Sequence, residues 1–329
     1  MNKVDVAISI EWNGLLKRSW SIMVKIAIIG VGNLGSCIAF ELAVKNLADE
    51  LVLLDVVKPL AEGQAMDIAQ SSPSISDVEV KAGDYEDIAD SDIVVITAGK
   101  PRTPSMKSRL ELLSINAHIV ADIAKRLKSI GFKGLIVTVT NPVDTMNFLA
   151  WKIIGLDRFK VLGSSSLLDS ARFRLIVSRR FGVKPSCIEG YVIGEHGNNQ
   201  VPLFSKLKVM SKPVALSAEE RSSISEELRG AALDVISKKG ATVYAPASHT
   251  VALIEALLRG GSSLSLASLV LDGEYGVEGL SIGVPFKPGV LEVDEIVEWD
   301  LNEEEVSLFH KGVEVLKQAW DEVKSLIKV

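Results

Sequence analysis

Short, continuous runs of β-branched and other apolar residues alternate with helix-like segments from Val24 to Gly163. The runs are VKIAIIG (24–30), ELVLLD (50–55), VEVKAG (78–83), DIVVITAG (92–99), GLIVTVTNP (134–142) and FKVLGSS (159–165). Helical patterns lie between them, at 33–47, 60–70 and 108–130. Apolar strands separated by helices are typical of a parallel sheet that is covered on both faces and has right-handed crossovers. The pattern therefore predicts a doubly wound α/β domain over residues 24–163.

The pattern changes after Ser164. Helices are predicted at 167–181, 217–239, 248–259 and from Asn302 to Lys328, where three glutamates after Asn302 favour a helix N-terminus. Strand-like segments lie at 188–194 and 205–210, and SLSLASLVLDG (263–273) predicts a hairpin that returns near 280–285. This mixture indicates an α+β domain over residues 164–329 that packs directly on the first, without a linker.

The size of the chain agrees with two domains, because 329 residues of which 47% are hydrophobic are enough for two cores. Residues 1–23 precede the first strand and have no assigned role. They lack the basic start, apolar middle and small-residue exit of a signal peptide, and Met23 is a candidate translation start.

Composition argues against several classes of function. The net charge of −6 gives no electrostatic basis for nucleic-acid binding. No apolar stretch reaches the length of about 18 residues that a membrane span needs. Cys37 and Cys187 are far apart and the four histidines are scattered, so neither a disulfide framework nor a metal site is expected. These features favour a cytoplasmic protein that acts on a small molecule.

A glycine motif follows the first predicted strand and opens the first helix. In Gly30-Val31-Gly32-Asn33-Leu34-Gly35, the glycines allow a tight turn, close approach to a pyrophosphate and close helix packing. The helix N-terminus offers free N–H groups to phosphates. Asp55 ends the second strand about 20 residues on, where a carboxylate can accept hydrogen bonds from a ribose diol and repel a 2′-phosphate. The motif therefore predicts NAD rather than NADP.

Polar or small residues end the fourth and fifth predicted strands. These are Thr97-Ala98-Gly99 and Val139-Thr140-Asn141. Ligands of open α/β sheets bind at the carboxyl ends of strands, so both tripeptides are expected beside the nicotinamide half of the cofactor. For Thr97, capping of a loop is an equally good interpretation.

A histidine in the second half is the candidate acid/base. His196 lies in Gly194-Glu195-His196-Gly197, at the end of a predicted strand. Oxidation of a secondary alcohol needs a base for the hydroxyl proton, and an imidazole titrates near neutrality. Asp169, on the first helix of the same half, is the candidate carboxylate that orients the second ring nitrogen.

Three arginines are candidates for binding carboxylates. Arg172 lies three residues after Asp169 and thus on the same helix face. Arg102 and Arg109 lie in a Pro- and Ser-containing segment after the fourth strand, which is predicted to be a mobile lid. A guanidinium grips a carboxylate with two parallel hydrogen bonds, so arginines here favour an acidic substrate.

These motifs together resemble those of the lactate/malate dehydrogenase family. GVGNLGS, TAGKPR, SRLELLSIN, VTNPVD, LLDSARFR and GEHG occur in the family's order, and the likeness runs from Val24 to the C-terminus. The resemblance implies a Rossmann NAD-binding domain, a catalytic domain and hydride transfer to or from NAD.

The resemblance also implies a role for each candidate. His196 is similar to the family's acid/base and Asp169 to its orienting carboxylate. Arg109 resembles the residue that polarises the carbonyl, and Arg172 the clamp on the substrate's C1 carboxylate. Three further matches are Asn141, at substrate and cofactor, Asn116, on the cofactor side, and Thr242, in the substrate pocket.

The substrate expected from the resemblance is malate. Lactate dehydrogenases have glutamine where Arg102 lies, over a methyl group, whereas arginine fits a second carboxylate. LLDSARFR looks most like the lactate-dehydrogenase-like malate dehydrogenases, which are usually tetramers, with a dimer as the alternative. The expected reaction is the reversible oxidation of (S)-malate to oxaloacetate.

Other functions stay open at this point. The first is an L-lactate or broad 2-hydroxyacid dehydrogenase, if Arg102 points to solvent. The second is a dinucleotide-binding protein without turnover, which the joint presence of His196, Asp169, Arg109 and Arg172 disfavours. The third is an NAD- and metal-dependent glycosidase. That class needs a Cys/His metal site near the strand ends, and neither Cys37 nor Cys187 is placed to supply it.

Overall fold

The computed structural model describes residues 23–100 and 109–328, with side chains in the second range described from Leu112 onward. Its helices are α1 (Asn33–Val44), α2 (Lys58–Ser71), α3 (Arg109–Ser129), α4 (Val143–Ile154), α5 (Ser166–Phe181), α6 (Ala218–Lys239), α7 (Tyr244–Arg259) and α8 (Glu303–Ile327). Its strands are β1 (Lys25–Ile29), β2 (Glu50–Leu54), β3 (Glu79–Ala82), β4 (Ile93–Ile96), β5 (Leu135–Thr138), β6 (Val161–Gly163), β7 (Ile188–Glu189), β8 (Val192–Gly194), β9 (Gln200–Pro202), β10 (Lys208–Val209), β11 (Lys212–Pro213), β12 (Ser265–Asp272), β13 (Glu278–Pro288) and β14 (Val293–Ile296).

The first six strands form a parallel sheet in the order β3-β2-β1-β4-β5-β6. The strand order reverses between β1 and β4, which is the point where doubly wound sheets bind ligands. The predicted α/β class and all six strands are confirmed.

Both faces of this sheet are covered, as its apolar strands predict. Ile26 and Ile28 of β1 pack into a core with α1, α2 and α7. Ala27 and Ile29 alternate with them and pack into a second core with α3, α4 and α8. The helices therefore hold the carboxyl ends of the strands in a fixed arrangement.

The second half extends the same sheet. The strands β12, β13, β8 and β9 continue it beyond β6 in antiparallel pairs, and β14 pairs with β13. The two halves share one sheet, because backbone pairing of β6 with β12 joins them.

One line of paired residues crosses the sheet from the first half to the second. We call it the transverse row; it consists of Ile29, Ile96, Thr138, Gly163, Ser268, Gly283 and Gly194. The glycine motif follows Ile29, and His196 follows Gly194 by two residues. The sheet thus aligns the candidate cofactor and catalytic segments.

Two predicted elements of the second half are wrong in detail. The segment 188–194 is not one strand: the chain passes from β7, in a separate three-stranded sheet with β10 and β11, to β8 in the large sheet. Gly190 lies at this transition, where a Cβ would be 2.9 Å from the Phe173 ring. The helix predicted to begin at residue 248 begins at Tyr244. Pro246 lies in its first turn, where no intrahelical N–H donor is required, so the proline does not interrupt the helix.

Candidate active site

The glycine motif forms a tight turn against β4. Gly30 has a φ of +96°, and a Cβ there would lie 2.5 Å from the backbone of Ala98. A Cβ on Gly35 would lie 1.9 Å from the Gly30 carbonyl oxygen, so the start of α1 packs directly on the turn. Around Gly32, in contrast, no atom of the described residues lies within 4 Å of a Cβ position. This open side, at the N-terminus of α1, fits a pyrophosphate group.

Two side chains hold this turn in place. The Thr97 hydroxyl donates to the carbonyl oxygen of Gly30, so the loop-capping interpretation of Thr97 is the one that its contacts support. The carboxylate of Asp55 accepts the Val31 N–H at 2.9 Å and the Val57 N–H at 3.0 Å. Each carboxylate oxygen has a second lone pair, so Asp55 retains capacity to accept from a ribose hydroxyl.

The flanks of the turn leave the other predicted cofactor residues partly open. Asn33 and Gly99 are exposed, Leu34 and Ala98 are half-buried, and Val139 is buried at the end of β5. A Cβ on Gly99 would lie 2.7 Å from the Thr140 methyl group. These positions surround the crevice between β1, β4 and β5, where the strand order reverses.

A buried amide joins the ends of β4 and β5. Asn116 of α3 accepts the Lys100 N–H at 2.8 Å, and its own N–H group donates to the Asn141 carbonyl oxygen at 2.7 Å. Asn116 therefore positions the two strand ends. The Asn141 side chain, in contrast, is exposed beside a cis peptide bond to Pro142.

The predicted histidine and carboxylate come together. Nδ1 of His196 lies 2.6 Å from Oδ2 of Asp169, and Nη1 of Arg172 donates to Oδ1 of the same carboxylate at 3.2 Å. The side chain of Asp169 is 4% exposed, whereas those of His196 and Arg172 are each 17% exposed. A buried carboxylate thus orients two side chains that are each partly exposed.

His196 lies at the centre of a tight turn. The Gly197 N–H donates to the Glu195 carbonyl oxygen at 2.8 Å, and the Glu195 carboxylate accepts both N–H groups of Asn199, at 2.8 and 2.9 Å. These contacts close the loop after β8 and fix the backbone that carries the imidazole.

The surroundings of His196 favour its protonated form. Burial alone would lower the pKa of the imidazole, but the charge of Asp169, its hydrogen bond and the charge of Asp144 together raise the pKa above its ordinary value. Arg172 acts in the opposite direction. An imidazole of this kind can hold a proton near neutral pH and return it as a general acid.

Asp144 is a site residue that the sequence analysis missed. It is buried in the first turn of α4, and its Oδ2 atom accepts the His196 backbone N–H at 2.7 Å. An acidic residue at a helix N-terminus is ordinarily explained by the helix dipole. The available signal was an aspartate in the first turn of a mostly apolar helix directly after Asn141-Pro142.

Three predicted substrate residues are less well defined. Arg102 and the side chain of Arg109 lie outside the described residues, although α3 begins at Arg109. Thr242 is half-buried in the loop between α6 and α7. Their roles stay predictions.

Within residues 23–100 and 109–328, no helix has the length and apolar character to cross a membrane. The same part of the chain contains no cluster of three histidine, cysteine or acidic side chains that could hold a metal ion.

Comparisons with known proteins cover both halves of the chain. The family profiles described as "lactate/malate dehydrogenase, NAD binding domain" and "lactate/malate dehydrogenase, alpha/beta C-terminal domain" match residues 24–163 and 166–327. Malate dehydrogenase of Haloferax volcanii is 40% identical over 304 residues, which cover 92% of this chain and 100% of that protein. L-lactate dehydrogenase 2 of Enterococcus faecalis is 38% identical, over 89% of this chain and 95% of that protein.

A solved structure gives the same result for the fold and cofactor. The lactate dehydrogenase of Cryptosporidium parvum, in complex with lactic acid and β-nicotinamide adenine dinucleotide, superimposes with a TM-score of 0.87 at 33% identity, over 92% of this chain and 98% of that one. The first half of this chain is an NAD-binding domain, and the protein is an oxidoreductase. The chain belongs to the lactate/malate dehydrogenase family.

Proposed function

We propose that this protein is a malate dehydrogenase that catalyses the reversible, NAD-dependent oxidation of (S)-malate to oxaloacetate. The observation that carries the proposal is the contact of one buried carboxylate, Asp169, with both His196 and Arg172. This arrangement supplies a proton acceptor beside a cation that can bind a carboxylate. A 2-hydroxyacid carries its carboxylate and its hydroxyl on adjacent carbons, so an enzyme that oxidises it needs the cation and the proton acceptor side by side.

Arg172 is proposed to bind the C1 carboxylate of the substrate. One of its nitrogens donates to Asp169 at 3.2 Å. A guanidinium has five N–H donors, so others are available for a two-point contact with a carboxylate. Asn141, whose side chain is exposed at the end of β5, and Thr242 are proposed to complete the substrate pocket.

His196 is proposed to accept the hydroxyl proton during oxidation and to donate it during reduction. Asp169 holds Nδ1, so that Nε2 is left for the substrate, and stabilises the imidazolium that forms. NAD, when bound, supplies the acceptor for the hydride from C2. Arg109 is proposed to polarise the C2 oxygen and to stabilise the negative charge that develops on it.

The choice of malate rests on Arg102. A guanidinium four residues after Ala98 can pair with the C4 carboxylate, and a methyl group there would leave it without a partner. An L-lactate or broad 2-hydroxyacid dehydrogenase is the second candidate. It is favoured by the 38% identity to L-lactate dehydrogenase 2, which nearly equals that to the malate dehydrogenase.

A steady-state comparison of oxaloacetate with pyruvate tests the proposal. We expect kcat/KM with NADH to be much higher for oxaloacetate, and activity with NADPH to be low because of Asp55. Equal or higher kcat/KM for pyruvate would identify the second candidate. Binding of NADH without turnover of either acid would indicate a dinucleotide-binding protein.

Assembly and location are part of the same proposal. We propose a cytoplasmic homotetramer, with a dimer as the alternative. Exposed apolar side chains on three helices, Phe40, Met66 and Tyr244, are candidates for subunit contacts. Light scattering coupled to size-exclusion chromatography distinguishes monomer, dimer and tetramer.

A further inference from the structure

The loop that carries His196 contacts a second buried carboxylate, Asp144, in addition to Asp169. The Oδ2 atom of Asp144 accepts the His196 backbone N–H at 2.7 Å, and its Oδ1 atom lies 2.5 Å from the Ser268 hydroxyl. Asp144 belongs to α4 of the first half, whereas Ser268 belongs to β12 of the second. One carboxylate therefore connects both halves of the chain to the backbone of His196.

The hydrogen bonds behind Asp144 run in one direction. The Asn147 amide N–H group lies 3.3 Å from the carbonyl oxygens of Val161 and Ser268, which can only accept, so its orientation is fixed. The same group donates to the Ser281 hydroxyl at 2.8 Å. Ser281 is then free to donate to Ser268, at 2.9 Å, and Ser268 to donate to Asp144.

This direction favours the ionised form of Asp144. An ionised carboxylate accepts from Ser268 and from His196, so every hydroxyl in the chain of hydrogen bonds has an acceptor. A protonated Asp144 would instead donate to Ser268, which would reverse the serines and leave the Ser281 hydroxyl hydrogen without an acceptor among its contacts.

Glycines of the transverse row make room for this cluster. A Cβ on Gly163 would lie 2.8 Å from the Ser268 Cβ and 3.4 Å from the Asn147 Cβ. A Cβ on Gly283 would lie 1.9 Å from the Ser166 hydroxyl, at the start of the helix that carries Asp169. The close approach of β6, β12 and β13 to two helix N-termini therefore places Asp144 behind His196.

The charges around Asp144 come from few elements. The loop after β8 supplies His196 and Glu195, and α5 supplies Asp169 and Arg172 to the other side of the imidazole. β12 and β13 present the uncharged Ser268 and Ser281. Burial raises the pKa of Asp144 to about 7, against the effects of its two hydrogen bonds and of His196, and the charge of Asp144 in turn raises the pKa of His196.

We propose that Asp144 is a positioning residue that fixes the His196 backbone and, through its charge, favours the protonated imidazole, with Ser268, Ser281 and Asn147 as its hydrogen-bonding support. The proposal rests on the proposed function only in the assignment of His196 as the acid/base. The effect of Asp144 on His196 itself is independent of the substrate.

Asp144→Asn is the decisive variant, because it keeps the shape and an acceptor for the His196 N–H but removes the charge. Imidazole resonances of the four histidines, titrated by NMR and assigned with a His196→Asn variant, report the protonation of His196 without substrate. We expect the His196 midpoint to move to lower pH in Asp144→Asn. The fall in kcat/KM for oxaloacetate reduction with rising pH should move equally, giving about a tenfold loss at pH 8.

Glu305→Gln is the matched control. Glu305 is also a buried carboxylate; it accepts the N–H and the hydroxyl of Ser205, at 3.0 and 2.8 Å, and the Asn302 N–H at 3.2 Å. We expect this variant to leave the His196 midpoint unchanged. If Asp144→Asn moves the midpoint no further than Glu305→Gln does, the proposal is overturned.

Ser268→Ala provides a second test that keeps the carboxylate. Loss of the hydroxyl donor disfavours ionised Asp144, so the His196 midpoint should move in the same direction by a smaller amount. An unchanged midpoint in Ser268→Ala also contradicts the proposal, whether or not Asp144→Asn folds. A shifted midpoint in a protein that reduces neither oxaloacetate nor pyruvate would support the Asp144 proposal and refute only the proposed function.

Discussion

Oδ2 of Asp169 lies 2.6 Å from Nδ1 of His196, and this contact decides which ring nitrogen can act on a substrate. Because Nδ1 faces the carboxylate, Nε2 is the nitrogen that is left to exchange a proton. The contact also raises the pKa of the imidazole, so that the two directions of the reaction have different pH dependences.

Replacement of the imidazole should separate binding from chemistry. His196→Asn removes the acid/base, so we expect kcat to fall about 10³-fold in both directions. The cofactor turn follows β1, whereas His196 follows β8 at the other end of the transverse row, so we expect the Kd of NADH, measured by fluorescence titration, to be unchanged. A variant that retains substantial turnover would show that another group transfers the proton.

The pH profiles of reduction and oxidation should mirror each other. Reduction requires protonated His196, so its kcat/KM should persist above the ordinary pKa of 6.5 and fall as pH rises through the raised value. Oxidation requires the neutral ring and should rise over the same interval. Asp169→Asn removes the negative charge that raises the pKa of His196, so both transitions should move to lower pH. Coincident, unshifted profiles in wild type and variant would contradict the assigned role of Asp169.

Substrate choice should depend on Arg102. Arg102→Gln removes the partner of the C4 carboxylate, and we expect a loss of about 3 kcal/mol in transition-state stabilisation with oxaloacetate, or about a hundredfold in kcat/KM. Discrimination against pyruvate should decrease accordingly. Arg126→Gln, at an exposed arginine on α3, is the control and should leave both substrates unaffected. Unchanged selectivity in Arg102→Gln would favour the lactate alternative.

The close approach at the transverse row should be visible in stability. In Gly283→Ala the new Cβ would lie 1.9 Å from the Ser166 hydroxyl and 2.8 Å from the Gly194 carbonyl oxygen. We expect a decrease of about 1–3 kcal/mol in the free energy of unfolding, with reduced kcat as β8 or α5 shifts.

Gly230→Ala is the matched control for that variant. Gly230 lies on an exposed position of α6, where a Cβ would meet no atom of the described part of the chain within 4 Å, so alanine should stabilise the protein by about 0.5–1 kcal/mol. Denaturant unfolding of both variants gives the comparison. Equal effects of the two substitutions would contradict close packing at Gly283.

The parallel half of the fold could be predicted because most of its strands are buried apolar runs and helices separate most of them; β3, with Glu79 and Lys81 exposed, is the exception. The elements of the antiparallel half were harder to predict from the sequence. β7 and β8 are each three residues or fewer, and the chain leaves one sheet for the other at Gly190, where it packs against the Phe173 ring of α5. A helix start at Tyr244 was hidden by Pro246, which reads as a helix breaker unless its place in the first turn is known.

The site likewise contains residues that could be predicted from the sequence and residues that could not. His196 and Asp169 could be paired from the sequence because a catalytic imidazole needs an orienting carboxylate, and residue type alone identified a candidate for each role. Asp144 could not, because its partner is a backbone N–H and its support comes from serines more than 120 residues away in sequence. Thr97 and Asn116 were recognised as neighbours of the cofactor, but their hydrogen bonds to backbone groups, which give them a supporting function, depend on the folded loop.

Pairing of β6 with β12 has a consequence for how the protein unfolds. The halves are joined directly within the sheet: Leu162 and Gly163 pair with Leu269 and Ser268, and the core around α7 is shared. Separating them would break backbone pairing in mid-sheet and uncover an apolar edge, which promotes association with other chains. A fragment that ends at Gly163 is therefore expected to aggregate, and the intact chain to melt in a single cooperative transition.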